Sequence, residues 1–273
     1  MNTNSNTYTV VYTAIVVILV AALLSFVSLS LKDKQDANIK AETISQMLTA
    51  AQYGTKAEIT GQGNDNVLKQ YSENIKEAFT VNAEGEKVRD LSTELGSIEL
   101  ADGLKAQNKL IKDGKTSELE LPVYIFNKDG KEVTVVAVYG AGLWGPVWGY
   151  LGLDEDGKTV LGAYFDHESE TPGVGAKIKD DPAFQAEFIG KTAAFDTEKP
   201  LQIVKGAQGD SQVDAISGAT MTSNGLSEAI ATWLHYYAPY FNNAQPESEP
   251  AESQLDEQEE AAEGEAVTEN EEN

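Results

Sequence analysis

The stretch LPVYIFNKDGKEVTVVAVYG, residues 121–140, places two β-rich runs on either side of Asn127-Lys128-Asp129-Gly130. Val, Ile, Tyr and Phe suit a pleated, half-buried surface, and Asp-Gly suits the tight hairpin turn that needs positive φ at both central residues. VWGYLGLDEDGKTVLGAYF, residues 147–165, repeats the arrangement around Asp154–Gly157, and FTVNAEGEKV, residues 79–88, offers a third hairpin. DEDG invites a calcium reading, but the fifth and twelfth positions counted from Asp154 are Lys158 and Phe165, where an EF-hand needs oxygen ligands. It is a turn.

Further along the chain, SNGLSEAIATWLHYYAPYF, residues 223–241, sets Leu226, Ile230, Trp233, Leu234 and Tyr237 on one helical stripe. Turn-linked strands followed by a helix imply an α+β fold, with an antiparallel sheet and helices in one domain over residues 56–243. Residues 55–75 are polar and assign to no element. No strand–helix alternation, GxGxxG or Walker sequence points to a nucleotide-binding α/β unit.

Both ends of the chain differ from this middle. After an N-terminal tail over residues 1–9, the run VVYTAIVVILVAALLSFVSLSL (10–31) is long enough, at about 1.5 Å per residue, to cross a hydrocarbon core of about 30 Å. A cleaved signal peptide expects a basic leader and a shorter apolar core. The leader MNTNSNTYT has no Lys or Arg, so the run reads as a single retained transmembrane helix. Lys32, Lys34 and Lys40 follow it with Asp33 and Asp36 interspersed, which leaves its orientation undecided by charge. A connecting helix is expected over 32–55, where Ile39, Ile44, Met47, Leu48 and Ala51 fall near helical spacing and Gly54 is a stop.

Residues 244–273 hold twelve acids, no basic residue and no aromatic, and supply half of the net charge of −24. Such a tail buries too little apolar surface to offset chain entropy and is expected to be disordered. The rest of the chain is also acidic, which argues against nucleic acid as a partner. The absence of cysteine excludes disulfides, thiol chemistry and iron–sulfur ligation by this chain.

Three stretches could carry chemistry. DAISGATMTSNGL, residues 214–226, groups Ser217, Thr220, Thr222 and Ser223 around Gly218-Ala219 just before the amphipathic helix. A helix start exposes unpaired N–H groups that favour a phosphate, yet Ser and Thr there are also ordinary caps. Local physics leaves both readings open. FDHESETPGVGAKI, residues 165–178, contains a tight loop at Thr171–Gly175, and two possible ligands, His167 and Glu170, do not by themselves make a metal site. GAGLWGPVWGY, residues 140–150, offers Trp144 and Trp148 either as core aromatics or as a flat apolar wall.

Together these stretches resemble a known family. Asp214-x-x-Ser217-Gly218-Ala219-Thr220-x-Thr222 is similar to the signature of proteins that carry FMN esterified to threonine. His167-x-x-Glu170-Thr171-Pro172-Gly173-x-Gly175 resembles that domain's second motif. Gly-x-Gly-Leu143-Trp144 looks like the C subunit of Na⁺-translocating NADH:quinone oxidoreductases. The homologous G subunit of the Rnf complex shares the other two motifs, and a stand-alone FMN carrier or a flavin-free binding module are the remaining alternatives.

The resemblance implies covalent FMN on Thr222, attached from FAD by a separate flavin transferase. It places Leu143, Trp144, Glu170, Thr171, Val174, Gly175, Ser217, Gly218, Ala219 and Thr220 around the cofactor, with Lys205 where the family has a basic residue. Ser223 is expected to cap the helix, and Thr222 to expose its hydroxyl. No residue is assigned a catalytic role or a metal. The implied protein is a single-pass component of the bacterial inner membrane with its flavin domain in the periplasm. It would join the A, B, D, E and F subunits, receive electrons through the iron centre of D and E, and pass them to the FMN of B. NADH and quinone would bind elsewhere in the complex.

Overall fold

The computed structural model describes residues 6–91 and 100–244; the acidic tail, for which the sequence argues disorder, lies outside the described residues. A six-stranded antiparallel sheet organises the domain in the order β2-β1-β3-β4-β5-β6. Its strands are β1 (Ile75–Val81), β2 (Lys87–Asp90), β3 (Leu121–Lys128), β4 (Lys131–Ala141), β5 (Pro146–Leu153) and β6 (Val160–His167).

The hairpins follow from turn chemistry. Lys128 pairs with Lys131, and the two residues between them, Asp129 at φ 54° and Gly130 at φ 87°, both occupy the left-handed region. That conformation matches the right-handed twist of the flanking strands. At DEDG, the Asp156 carboxylate accepts from the N–H groups of Lys158 and Thr159, and Gly157 N–H donates to the Asp154 carbonyl at 2.8 Å. The turn between β1 and β2 is held by Asn82 Oδ1, which accepts from Glu84 and Glu86 N–H.

Helix α1 runs unbroken from Asn6 to Ala50. The apolar run and the connecting helix expected after it are therefore one rod of about 68 Å at 1.5 Å per residue. Its apolar first part is exposed and is long and apolar enough to cross a membrane. Its last turns belong to the core of the domain: Ala41, Ile44, Met47, Leu48 and Ala50 are buried. Ile39, placed on the same stripe by spacing, is 50% exposed, because the helix meets the sheet only beyond it.

Polar residues 55–75 form two further helices, α2 (Lys56–Thr60) and α3 (Asn64–Asn74), packed on α1. The start of α2 is a reciprocal capping box between Thr55 and Glu58. Helix α4 (Ala101–Lys112) packs on β4; the short α5 (Lys177–Asp180) and α6 (Pro182–Ala186) pack on β6. Two short parallel strands, β7 (Gln202–Val204) and β8 (Gln212–Asp214), lead into α7 (Thr220–Ala244).

Helices α1 and α7 cover opposite faces of the sheet. A side chain at Gly152 or at its partner Gly162 would run into Ala50 of α1, whereas one at Gly140 would meet Ala229 of α7 at 2.6 Å. Gly140 pairs with Val147, which lies five positions before Gly152, and odd separations along a strand point to opposite faces. Double coverage explains why β4 and β5 read as nearly continuous apolar runs rather than alternating ones. On α7 the stripe Leu226, Ile230, Trp233, Leu234 and Tyr237 is fully buried.

Candidate functional site

The three motifs meet at the N-terminus of α7. Gly225, in its second turn, lies so close to Ala141 that a β-carbon there would overlap the Ala141 carbonyl. This approach brings the first turn of α7 beside the β4–β5 loop, Gly142–Gly145, and the loop that follows β6.

Glu170 ties the three segments together. Its Oε2 accepts from the Thr222 hydroxyl at 2.6 Å, and its Oε1 accepts from the Trp144 N–H at 2.9 Å. The backbone N–H of Glu170 donates to His167 Nδ1 at 3.1 Å, which turns the loop back after β6. Burial alone would raise the Glu170 pKa, but the Thr222 hydroxyl and the N–H groups of Trp144, Leu143 and Gly145 outweigh it and hold it below the ordinary carboxylate value. Both of its oxygens accept hydrogen bonds, the pattern of an ionised carboxylate.

Glycines let the segments close on this carboxylate. A β-carbon at Gly175 would stand 2.6 Å from Thr222 Oγ1, so the Gly175 backbone lies directly over the hydroxyl. Thr222 is consequently 1% exposed. This corrects the expectation of an open hydroxyl: the cover comes from a loop distant in sequence.

Ser223 also differs from expectation. The helix begins at Thr220, so Ser223 lies inside its first turn, and its Oγ accepts from the Ile216 N–H at 3.2 Å across the SGAT turn. The turn itself has Gly218 at φ +81° and is closed by Ala219 N–H donating to the Ile216 carbonyl at 3.0 Å. Ser217, Gly218 and Thr220 are exposed along its outer side, while Ala219 is buried. The first N–H groups of α7 have no carbonyl one turn earlier to bond, which makes them donors for an anion.

Leu143 (50% exposed), Trp144 (67%) and Val174 (37%) are exposed on the two loops that Glu170 and Gly175 bring to Thr222, Thr171 is exposed on the second of these loops, and Met221 (61%), which the sequence patterns do not single out, is exposed next to Thr222 in the chain. Trp148 is half-buried and packs against the core, so of the two tryptophans Trp144 is the exposed one. Lys205 stands exposed beyond the end of β7. Asp214, the first residue of the motif, serves the backbone there: its Oδ1 accepts from Gly206 and Ala207 N–H at 2.8 and 3.0 Å.

A second polar cluster fastens α1 to the strand that carries this loop. Asp166, next to His167 and 4% exposed, pairs with Lys179 at 2.8 Å and accepts from Gln46 Nε2 of α1 at 2.9 Å. The rod that bears the apolar segment is thereby hydrogen-bonded, through β6, to the base of the Glu170 loop.

A hydroxyl at a helix start, open space around Gly218 and Gly173, and an exposed apolar rim fit a flat ring system joined to a phosphate.

A family model described as an FMN-binding domain matches residues 142–235, which includes all three segments. The C subunit of the Na(+)-translocating NADH-quinone reductase of Vibrio parahaemolyticus is 30% identical over 236 residues, covering 78% of this chain and 84% of the relative. The protein of the same name from Chlamydia trachomatis is 37% identical over 165 residues, and the match spans about half (51%) of that relative's length. The crystal structure of the C subunit from Parabacteroides distasonis is similar with a TM-score of 0.64 at 34% identity, covering 79% of this chain and 98% of that one.

Proposed function

This chain belongs to the family formed by the C subunits of the Na(+)-translocating NADH-quinone reductases, and from that premise we propose that it is the membrane-anchored flavoprotein of such a complex, with FMN esterified to Thr222. The observation that carries the assignment is the placement of Thr222 Oγ1, among the described residues the only hydroxyl of the motif hydrogen-bonded to a carboxylate from the second motif.

When bound, FMN supplies one- and two-electron redox chemistry; the protein's work is to hold and surround it. Thr222 would carry the phosphate, with the first-turn N–H groups of α7 as its donors. Leu143, Trp144, Val174 and Met221 would pack on the ring and exclude water. Glu170 fixes the two loops against the helix. An ester bond keeps a cofactor that faces an aqueous compartment from being lost by dissociation.

In this reading α1 anchors the protein in the bacterial inner membrane with the domain in the periplasm. Electrons arrive through the iron centre of the D and E subunits and leave to the FMN of the B subunit, with A and F completing the complex. NADH oxidation and quinone reduction take place elsewhere in the complex in this reading. The test is expression beside a flavin transferase, followed by a denaturing gel under ultraviolet light. A fluorescent band at the mass of this chain is expected; a dark band contradicts covalent attachment.

A further inference from the structure

The hydroxyl of Thr222 is paired with a carboxylate before anything is attached to it. Thr222 Oγ1 and Glu170 Oε2 are 2.6 Å apart, the short separation of a charge-assisted O–H···O⁻ bond. The carboxylate cannot turn away, because its other oxygen accepts from the Trp144 N–H. Both side chains are buried, at 1% and 5% exposure, so bulk water does not compete for the proton. No charged side chain comes from residues 142–145, 171–176 or 220–224; the titratable group bonded to Glu170 is His167, through the Glu170 N–H, with exposed Glu168 two positions before.

A threonine hydroxyl is a weak nucleophile, and phosphoryl transfer to such a group is served by a carboxylate that orients it and accepts its proton. In protein kinases that carboxylate belongs to the enzyme. Here the acceptor chain already holds one in place. We propose that Glu170 is the proton acceptor in the modification of Thr222, so that this protein supplies the base for its own flavinylation; the proposal rests on Thr222 being the attachment site.

The step balances without any redox change. Thr222 Oγ1 forms a bond to the flavin-side phosphorus of a flavin dinucleotide as the bond between that phosphorus and the bridging pyrophosphate oxygen breaks. AMP leaves with the bridging oxygen, and the hydroxyl proton passes to Glu170 Oε2. The resulting neutral carboxyl lies beside a phosphodiester anion, which removes the repulsion that two adjacent negative charges would create. The Gly175 backbone that covers the hydroxyl must be displaced for the dinucleotide to reach it.

The experiment uses the full-length chain in detergent, produced without a flavin transferase, then mixed with the transferase, FAD and Mg²⁺. The initial rate of label on the Thr222 peptide is followed by gel fluorescence and mass spectrometry, with thermal melts in parallel. Glu170→Gln keeps size and a hydrogen-bond acceptor but cannot take the proton. Its rate is expected to fall on the order of 100-fold, and the residual rate to rise between pH 7 and 9, where wild type stays level. Gly175→Ala forces a methyl between Thr222 and Glu170 without removing either group, and it should slow labelling as well; it carries the test if Glu170→Gln does not fold. A folded Glu170→Gln chain labelled within twofold of wild type, or a Gly175→Ala chain labelled at the wild-type rate, overturns the proposal. Wild-type chain without flavin on Thr222 overturns the attachment reading itself, and this one with it.

Discussion

Gly225 of α7 lies against the carbonyl of Ala141 at the end of β4, at a distance that leaves no room for a side chain. That approach seats the first turn of α7 beside the Gly142–Gly145 loop and thereby sets where Thr222 stands. Gly225→Ala must push helix and strand apart. Overpacking of this kind costs about 1–3 kcal/mol, so denaturant unfolding should show a loss of that size. Flavin attachment should fall with it, because Glu170 and Thr222 are carried on the two separated parts.

Asp166 offers a different test, of the joint between rod and domain. It is buried, pairs with Lys179 and accepts from Gln46 of α1. Asp166→Ala leaves a buried amide and an ammonium with one partner fewer, a loss of about 1–3 kcal/mol given that Lys179 is partly exposed. Urea titration measures the loss. Gln46→Ala should cost less, since it removes a neutral donor and leaves the ion pair intact.

The elements legible in the sequence are those specified by neighbours. The β3–β4 hairpin is written in Asp129-Gly130, whose φ values are the ones its turn requires, and α7 in the stripe from Leu226 to Tyr237. Helix α2 is equally local: Thr55-x-x-Glu58 is a capping box in plain view, masked by the polar residues around it. The continuity of α1 is harder to read, because its exposed stretch and its buried end obey different solvents. Gathering the site residues requires the motifs rather than any periodicity. What the chain does not disclose is the burial of Thr222, since the backbone over it belongs to Gly175 and arrives only through tertiary packing.

Acid should weaken the site in a defined direction. Hydrogen bonds from Thr222, Trp144, Leu143 and Gly145 overcome burial and lower the Glu170 pKa from its ordinary value. A carboxyl with a depressed folded-state value adds stability that is present above its unfolded value and is lost as pH falls through the folded one. Unfolding free energy measured from pH 6 downwards should therefore drop more for wild type than for Glu170→Gln below about pH 4.5. Equal slopes would mean that these hydrogen bonds do not hold the carboxylate.

Trp144 separates flavin packing from folding. Its ring is 67% exposed while its N–H serves Glu170 through the backbone. Trp144→Ala should change stability by no more than about 0.5 kcal/mol and leave covalent attachment intact. The absorbance maxima and emission of the bound flavin should shift as one wall of its site is lost. Spectra identical to wild type would place the ring elsewhere.

Everything proposed for this site turns on which hydroxyl bears the flavin. Because Thr222 is buried and bonded to a carboxylate, Thr222→Val removes more than a surface group: the domain should still fold, at a cost of about 1–3 kcal/mol. Thr220 is exposed, and Thr220→Val should weaken attachment without abolishing it. The direct measurement is mass spectrometry of the peptide containing residues 206–240 from chain matured beside a flavin transferase. The expected result is an added mass of FMN less water, assigned by fragmentation to Thr222 and absent from Thr222→Val. The same added mass persisting in folded Thr222→Val and vanishing in Thr220→Val would contradict the assignment.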